Sequence, residues 1–480
     1  MISRLGLALS AVFRKVVPDP FVIAVLLMVL TAALALVCGD FPGGAGAPRT
    51  VQGRALALLD EWRSSEGVWK LLGFGMQMCL ILVTGHALAA SRPVAAVLRR
   101  LADLPRSGAQ AAALVALIAC LAGVINWGLG LIVGAVLARD AGRSAARRGI
   151  TVHCPLLAAA GYMGLLVFHG GLSGSAPLAM STPEGAAKVL RPEHVAALNG
   201  RGIGLDLTLG STLNLVVTGG LVLGLPLLFA LLHPATGAAA RRSSGAAVVE
   251  DTSHGCAAER REPMAPNEAD GAGRIPAWLD RTPLVVWALA LVLVAAVARF
   301  VVEKGWSAIG FNEVNALMFA LGLACHGSAR SYLRALEHAA AGCAGIVVQF
   351  PIYAGIMGMM SVSGLNRQFA QGITAAADAD TLPVLTFLAA TLVGLFVPSG
   401  GAQWSIQGPV ALESAASHGV DLGTMVMAVG YGDELANMLQ PFWALPLLAI
   451  TGVKARDIVG YTAIAMVAAA AWMALGLLML

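Results

Sequence analysis

The chain has 480 residues, of which 58% are hydrophobic and only 12% are charged, and its mean hydropathy is +0.78. Soluble domains carry about 25% charged residues, so this composition excludes a soluble globular protein and indicates an all-α polytopic protein of a lipid bilayer. The formal net charge of +4 is too small to indicate binding to nucleic acid. The seven cysteines occur singly, without CxxC or Cys/His ligand spacing, and support neither a disulfide framework nor a metal site.

The N-terminal residues 1–17 place apolar side chains at helical spacing among basic ones, which predicts an interfacial amphipathic helix at the inner membrane surface. A charged start before the apolar run 20–38 is also typical of a cleaved signal peptide. The run is long and lacks an Ala-x-Ala site, so we favour a retained first span. The other candidate spans lie at 68–90, 152–180, 207–232, 284–302, 311–326, 339–361, 422–450 and 458–480.

Two charge-free stretches, 107–138 and 381–412, are too long for one simple span. A helix over either would be about 48 Å long, against about 30 Å of hydrocarbon in a bilayer. Each contains helix-breaking residues, at 126–128 in the first and 398–401 in the second. Arginines flank the first stretch on both sides, whereas acidic residues flank the second. The positive-inside rule therefore predicts two re-entrant hairpins, one entered from the cytoplasm and one from outside.

The segments around the two hairpins correspond in order and spacing, which predicts two inverted repeats, at 18–232 and 311–480. The matched pairs are Gln77 with Gln349, Asn126-Trp127 with Gln403-Trp404, and Gly161-Tyr162 with Gly430-Tyr431. Between the repeats, 233–281 is rich in Ala, Gly, Ser, Arg and Glu, and predicts a disordered cytoplasmic linker. An extra transmembrane helix at 284–302 then returns the chain to the outer side.

A polar, glycine-rich segment follows each hairpin, at 168–177 and 430–441, and predicts unwound backbone facing the hairpin tip of the same repeat. The substrate-binding candidates are the small, amide and tryptophan residues of the tips and these segments: Asn126, Trp127, Gly128, Ser173, Ser175, Ser399, Gly400, Gly401, Gln403, Trp404 and Asn437. The alternative is structural: glycines that only allow close helix packing, amides that join helices, and tryptophans in the core.

Asp433 and Glu434 are the only acidic residues well inside a candidate span. A carboxylate at that depth is costly unless it is paired, wet, protonated or bound to a cation. We therefore expect this pair, with His169, to hold a coupling proton or sodium ion beside the second tip. Adjacent residues on a helix point about 100° apart, so we expect only one carboxyl to face the site. The alternatives are a hydrogen bond that closes an unwinding at 430–432 and, for the histidine, a satisfied core position.

Four motifs resemble the short-chain fatty acid transporter family and, more remotely, the ion transporter superfamily of dicarboxylate and citrate carriers. They lie at 126–130, 169–175, 396–409 and 430–434, and the likeness covers nearly the whole chain except the linker. The resemblance implies uptake of acetoacetate, butyrate and similar acids across a bacterial inner membrane. It also implies a homodimer in which a scaffold domain supports a mobile elevator domain that holds both hairpins.

The chemistry of the tips agrees with a short monocarboxylate. Half-helix N-termini and free amides suit its charged head, and Trp and Ile side chains suit its tail. Neither tip contains Arg or Lys, which favours a singly charged substrate over the alternative, a C4-dicarboxylate or other small organic anion. Motifs such as HExxH and GxSxG are absent from the sequence, so we expect neither an enzyme nor a cofactor beyond the coupling ion. An anion channel is a further alternative, against which the inverted repeats argue.

Overall fold

The computed structural model describes residues 7–8, 11–12, 15, 18–42, 48, 50–183, 186–187, 202–234, 274–305, 311–340, 343–374, 377–440 and 442–480. Its regular structure in these ranges is helical. The helices are α1 Pro20–Cys38, α2 Val51–Arg63, α3 Leu72–Ala90, α4 Arg92–Asp103, α5 Gly108–Ile125, α6 Trp127–Arg147, α7 Cys154–Tyr162, α8 Ser175–Met180, α9 Thr212–Leu232, α10 Arg274–Arg281, α11 Pro283–Lys304, α12 Phe311–His326, α13 Ala329–Ala340, α14 Ala344–Val362, α15 Leu365–Thr374, α16 Leu382–Gly394, α17 Gly400–His418, α18 Leu422–Ala436, α19 Ala444–Thr451 and α20 Ala455–Met479.

Six of the described helices are long and apolar enough to cross a membrane: α1, α5, α9, α11, α14 and α20. Helices α3 and α4 form a pair bent by 81° that adds a seventh candidate. An all-helical polytopic membrane protein is therefore confirmed as the fold class. Two predicted spans are divided in the structure: 152–180 becomes α7, a 3-10 turn and α8, and 422–450 becomes α18 and α19. The first break, at 167–174, contains three glycines, whereas the second, at 437–443, contains two amide residues and a proline, a residue type that does not continue a helix.

The first predicted hairpin is a pair of antiparallel helices, α5 and α6, that meet at Asn126. A Cβ on Gly130 would lie 2.6 Å from the Cα of Gly123, so the two helices approach each other closely through their glycines. At the opposite end, Arg148 donates hydrogen bonds to the carbonyl oxygens of Asp103 (2.7 Å) and Pro105 (2.5 Å). The beginning and the end of the hairpin therefore lie side by side.

The second predicted hairpin consists of α16 and α17, joined by the non-helical residues 395–399. The two arms are fastened by Gln403, whose Nε2 donates to the carbonyl oxygen of Ala390 at 2.7 Å. A Cβ on Gly394 would also lie 3.1 Å from the Oε1 of this glutamine. Proline and paired glycines thus break the helix where the sequence predicts, and the chain folds back on itself.

Two boundaries differ from the sequence prediction. Helix α18 continues through Gly430 and Gly432 to Ala436, so the unwinding predicted at 430–432 is wrong, and the break comes later, between α18 and α19. These glycines serve close packing instead, since a Cβ on Gly432 would lie 2.5 Å from the carbonyl oxygen of Phe387 on α16. The predicted linker also ends early: 274–281 forms helix α10, while 235–273 lies outside the described residues, as does most of 1–17.

Candidate functional site

The non-helical residues 167–174, which we call the central loop, lie between the two hairpin tips. The N–H of Leu172 donates to the carbonyl oxygen of Val124 at 2.7 Å, and Ser173 Oγ accepts the N–H of Trp127 at 3.0 Å. On the other side, a Cβ on Gly400 would lie 2.9 Å from the imidazole of His169. Both tips therefore meet on this loop, whereas the sequence predicts contact with the tip of its own repeat.

The two tips are built in the same way, with one extended residue that caps the following helix. Asn126 has φ −158° and ψ 131°, and its Oδ1 accepts the N–H groups of Gly128 (3.0 Å) and Leu129 (3.1 Å). Ser399 has φ −157° and ψ 105°, and its Oγ accepts the N–H of Ala402 at 3.5 Å. A side-chain oxygen at this position satisfies otherwise unbonded amides of the first turn. Each tip thus aims the positive end of a helix dipole at the central region.

This shared geometry corrects the register of the predicted repeat match. The residue in the position of Asn126 is Ser399, not Gln403, which lies a full turn inside α17. The sequence comparison matched amide with amide and tryptophan with tryptophan. The structure instead matches the two residues that accept hydrogen bonds at a helix start, a role that asparagine and serine share.

A buried cluster joins the central loop to α18. The Nε2 of His169 lies 2.6 Å from Asp433 Oδ2, and the backbone N–H of this histidine donates to Glu434 Oε2 at 2.9 Å. The exposed fractions of these residues are 1%, 6% and 0% in that order. Both carboxyls therefore engage the same residue, one through its ring and one through its backbone, and the expectation that only one would face the site is wrong.

The hydrogen bonds fix the proton position on His169. Its Nδ1 accepts the backbone N–H of Ser175 at 3.2 Å, so the proton of the neutral ring is on Nε2 and is donated to Asp433. The second oxygen of Glu434, Oε1, is buried and has no hydrogen-bond partner among the described residues. The described residues contain no His, Cys, Asp and Glu cluster with the arrangement of a metal site. The cluster thus places two carboxyls and one imidazole next to one another in the buried interior.

A buried asparagine that sequence reasoning missed ties this cluster to α9. Asn214, which is 2% exposed, donates through Nδ2 to the carbonyl oxygen of Gly170 at 2.9 Å. Its Oδ1 accepts the hydroxyl groups of Thr218 (2.7 Å) and Tyr431 (3.1 Å). One amide thus connects the central loop, α9 and α18. The sequence feature that could have identified Asn214 is its position within an apolar span, since polar groups at membrane depth usually have a specific partner.

The comparisons with known proteins decide the family. The family model described as "Short chain fatty acid transporter" matches residues 1–480. The chain belongs to the short-chain fatty acid transporter family. It is 37% identical over 461 residues to a protein of Escherichia coli (strain K12), and this match covers 96% of each chain. It is 34% identical over 478 residues to a protein of Haemophilus influenzae, and this match covers 99% of each chain. Both relatives are named as candidate short-chain fatty acid transporters.

Two solved structures are also similar to this member of the short-chain fatty acid transporter family. The YdaH transporter of Alcanivorax borkumensis has 17% sequence identity and a TM-score of 0.42, and the match covers 96% of this chain and 97% of that chain. MtrF of Neisseria gonorrhoeae has 16% identity and a TM-score of 0.40, with 96% and 94% coverage.

In this short-chain fatty acid transporter, the structure gathers most of the predicted site residues around the central loop. These are Asn126, Trp127, Gly128, Ser173, Ser175, Ser399 and Gly400, with His169, Asp433 and Glu434 behind them. Gly401 follows on the exposed side of the second tip, where a Cβ would meet nothing within 4 Å.

Three predicted residues of the transporter point elsewhere. Gln403 is fully buried and is engaged by Ala390 and by Gln407, whose Oε1 accepts its Nε2 at 2.8 Å. Trp404 is 3% exposed and packs against Gly408 within its own helix. Asn437 is 5% exposed; its main-chain carbonyl oxygen accepts the hydroxyl of Tyr162 at 3.1 Å, and its side-chain Nδ2 is buried without a hydrogen-bond partner among the described residues. For Gln403 and Trp404 the geometry favours the structural alternative, the packing of the hairpin.

The apolar surface at the first tip also differs from the expected one. Trp127 is 7% exposed and makes an edge contact with Trp443, with ring centroids 4.8 Å apart, so it faces the protein interior. The exposed apolar side chains at this junction are instead Ile125 (57%) and Leu172 (65%), beside the half-buried Asn126. A small surface with a polar part and an apolar part therefore lies where the first tip meets the central loop.

Proposed function

We propose that the chain is an ion-coupled secondary active transporter that takes up short-chain monocarboxylates such as butyrate and acetoacetate. The single observation that carries this proposal is the meeting of two half-helix N-termini and a buried His–Asp–Glu cluster on one non-helical loop. Such broken helices bind small anions in transporters through their positive ends. Membership of the short-chain fatty acid transporter family and the names of both relatives support the substrate class.

The substrate carboxylate would bind at the exposed side of the second tip, next to Gly401, where a Cβ would meet nothing within 4 Å. The close approach of Gly400 to the hydroxyl of Ser175 (3.0 Å from a Cβ) and to the ring of His169 supports this placement, because it brings the N-terminus of α17 and the central loop together beside that open side. The tail of two to four carbons would lie over the exposed side chains of Leu172 and Ile125. The described contacts of this region include no lysine or arginine, which favours an acid with one charge.

The coupling ion, a proton or a sodium ion, would be held by His169, Asp433 and Glu434. Two buried carboxyls beside one neutral imidazole need a positive charge to offset them, because an uncompensated charge in a nonpolar interior is costly. A second proton on His169 would have to enter at Nδ1, where it would displace the N–H of Ser175. The charge of the cluster would thereby control the start of α8, which lies next to the second tip.

We further propose an elevator mechanism in a homodimer of the bacterial inner membrane. Both hairpins contact the central loop directly, which suits movement of the two hairpins, the loop and α18 as one body. The two hairpins would enter the membrane from opposite sides, as their basic and acidic flanks predict. Movement of this body would expose the proposed substrate site first to one face of the membrane and then to the other.

The substrate class is tested by counterflow in liposomes that contain the purified chain, with no ion gradient. Vesicles loaded with butyrate should take up labelled butyrate, and external acids of two to six carbons should compete with it. Succinate should compete more weakly by at least tenfold, because its second carboxylate would have no fixed cation. Stronger competition by succinate than by butyrate would assign the chain to the dicarboxylate carriers instead.

A further inference from the structure

A pocket of about 410 Å³ lies away from the central loop, at the junction of α3, α10 and α13. Its lining includes three arginines, Arg281, Arg330 and Arg334, together with His86 and Ser328. None of the described residues that line it is acidic. Arginine presents several N–H donors in a fixed plane and binds phosphate oxygens in pairs. The lining is therefore suited to a phosphate group.

Two of the three segments that form the pocket, α3 and α13, are distant in sequence and are joined by His326. This histidine contacts the carbonyl oxygen of Ala87 at 2.8 Å through Nε2 and the hydroxyl of Ser331 at 2.9 Å through Nδ1. Because a carbonyl only accepts, Nε2 carries the proton and Nδ1 accepts the Ser331 hydroxyl. Ser328 Oγ accepts the N–H of Ser331 at 3.3 Å, which leaves its own hydroxyl able to donate to a ligand.

The surroundings of the pocket are apolar and suit the membrane interface. Trp278 and Leu279 on α10 are 58% and 42% exposed, and Leu284 and Trp287 at the start of α11 are 61% and 53% exposed. Exposed tryptophans beside arginines are typical of the headgroup region. The charge distribution predicts that the end of α3 and the start of α11 lie on the cytoplasmic side, where anionic lipids attract arginine.

We propose that this pocket binds the phosphate of an anionic phospholipid, with the acyl chains lying along the exposed apolar side of α11. The shared chemistry, a phosphate ester, is also present in soluble metabolites. The adjacent apolar residues favour the lipid, because its acyl chains can lie along them while its phosphate is in the pocket, whereas a soluble phosphate ester has no apolar part to place there. The site is independent of the proposed transport site and does not depend on the substrate class.

The test uses the full chain in detergent, titrated with phosphatidylglycerol, phosphatidylcholine, glycerol 3-phosphate and inorganic phosphate, with binding measured by native mass spectrometry and thermal unfolding. Phosphatidylglycerol should bind more tightly than the other three. Arg281→Gln should weaken the affinity for phosphatidylglycerol about fivefold. The triple change Arg281→Gln/Arg330→Gln/Arg334→Gln should weaken it about fivefold for each arginine removed. The matched control is Arg299→Gln, whose side chain is 80% exposed and pairs with Glu303 near the other end of α11.

Three results would overturn the proposal: equal binding by the triple variant and the wild type, equal binding of phosphatidylcholine, or equal binding of glycerol 3-phosphate or inorganic phosphate. Equal binding of either soluble phosphate would show that the pocket binds the phosphate group of soluble molecules and does not select the lipid. If the triple variant does not fold, the single Arg281→Gln change, at an exposed helix end, decides the matter.

Discussion

Gly400→Ala is expected to separate the second hairpin tip from the central loop. The new Cβ would lie 2.9 Å from both Cε1 and Nε2 of His169 and 3.0 Å from the Oγ of Ser175, closer than carbon atoms tolerate. The ring cannot easily move away, because it is held by Asp433 at 2.6 Å and by the Ser175 N–H at 3.2 Å. The tip must therefore shift by several tenths of an ångström.

The magnitude follows from two opposing effects. An alanine in the first turn of α17 stabilises the helix by about 0.4–1 kcal/mol, whereas overpacking costs about 1–3 kcal/mol. The difference is about 0–2.6 kcal/mol with a midpoint of about 1.3 kcal/mol, and a loss of that size in substrate binding corresponds to roughly a tenfold rise in the KM for butyrate. We expect this rise in proteoliposome uptake, with little change in the amount of folded protein.

Gly224→Ala is the matched control, since this glycine lies inside α9 and is exposed, and a Cβ there would meet nothing within 4 Å. It should transport butyrate as the wild type does. Equal KM values for Gly400→Ala and the wild type would refute the close contact between the second tip and His169.

Three further predictions concern coupling, stability and topology. Asp433→Asn should still exchange butyrate across liposomes but no longer accumulate it under an ion gradient; retained gradient-driven accumulation would contradict the coupling role. Asn214→Leu should lower the thermal unfolding midpoint, because it leaves three buried partners without a hydrogen bond at about 1–3 kcal/mol each, and an unchanged midpoint would show that this network adds no stability. Cysteines at Arg99 and Arg143 should both react with an impermeant reagent from the cytoplasm, whereas labelling from opposite faces would show that 107–138 crosses the membrane.

Local chemistry allowed the breaks to be predicted. Asn126 lies in the middle of an apolar run and can end one helix and cap the next, and Pro398 with two glycines cannot continue a helix. Both positions are visible in any single sequence. The same reasoning identified Asp433 and Glu434, because carboxyls inside an apolar span stand out from their neighbours.

Long-range contacts explain what the sequence did not predict. His169 and Asp433 are 264 positions apart, and no local pattern indicates which buried histidine meets which carboxyl. The glycines of α18 were ambiguous for a related reason: the same residue type unwinds a helix or allows another helix to approach, and only the proximity of Phe387 favours the second role. Gln403 shows that residue type alone does not distinguish a substrate contact from a structural one, since its amide could bind a ligand as well as it binds the carbonyl oxygen of Ala390.

In the proposed function, the chain couples the movement of a short monocarboxylate to that of an ion. This coupling is tested most directly by the accumulation of labelled butyrate in proteoliposomes under an imposed proton or sodium gradient. Protein-free liposomes measure the uncharged acid that crosses lipid unaided, and Asp433→Asn liposomes measure exchange by the protein without coupling. The expected result is accumulation above both controls that collapses when an ionophore dissipates the gradient. Equilibration without accumulation under either gradient would contradict it and would indicate a channel or a uniporter.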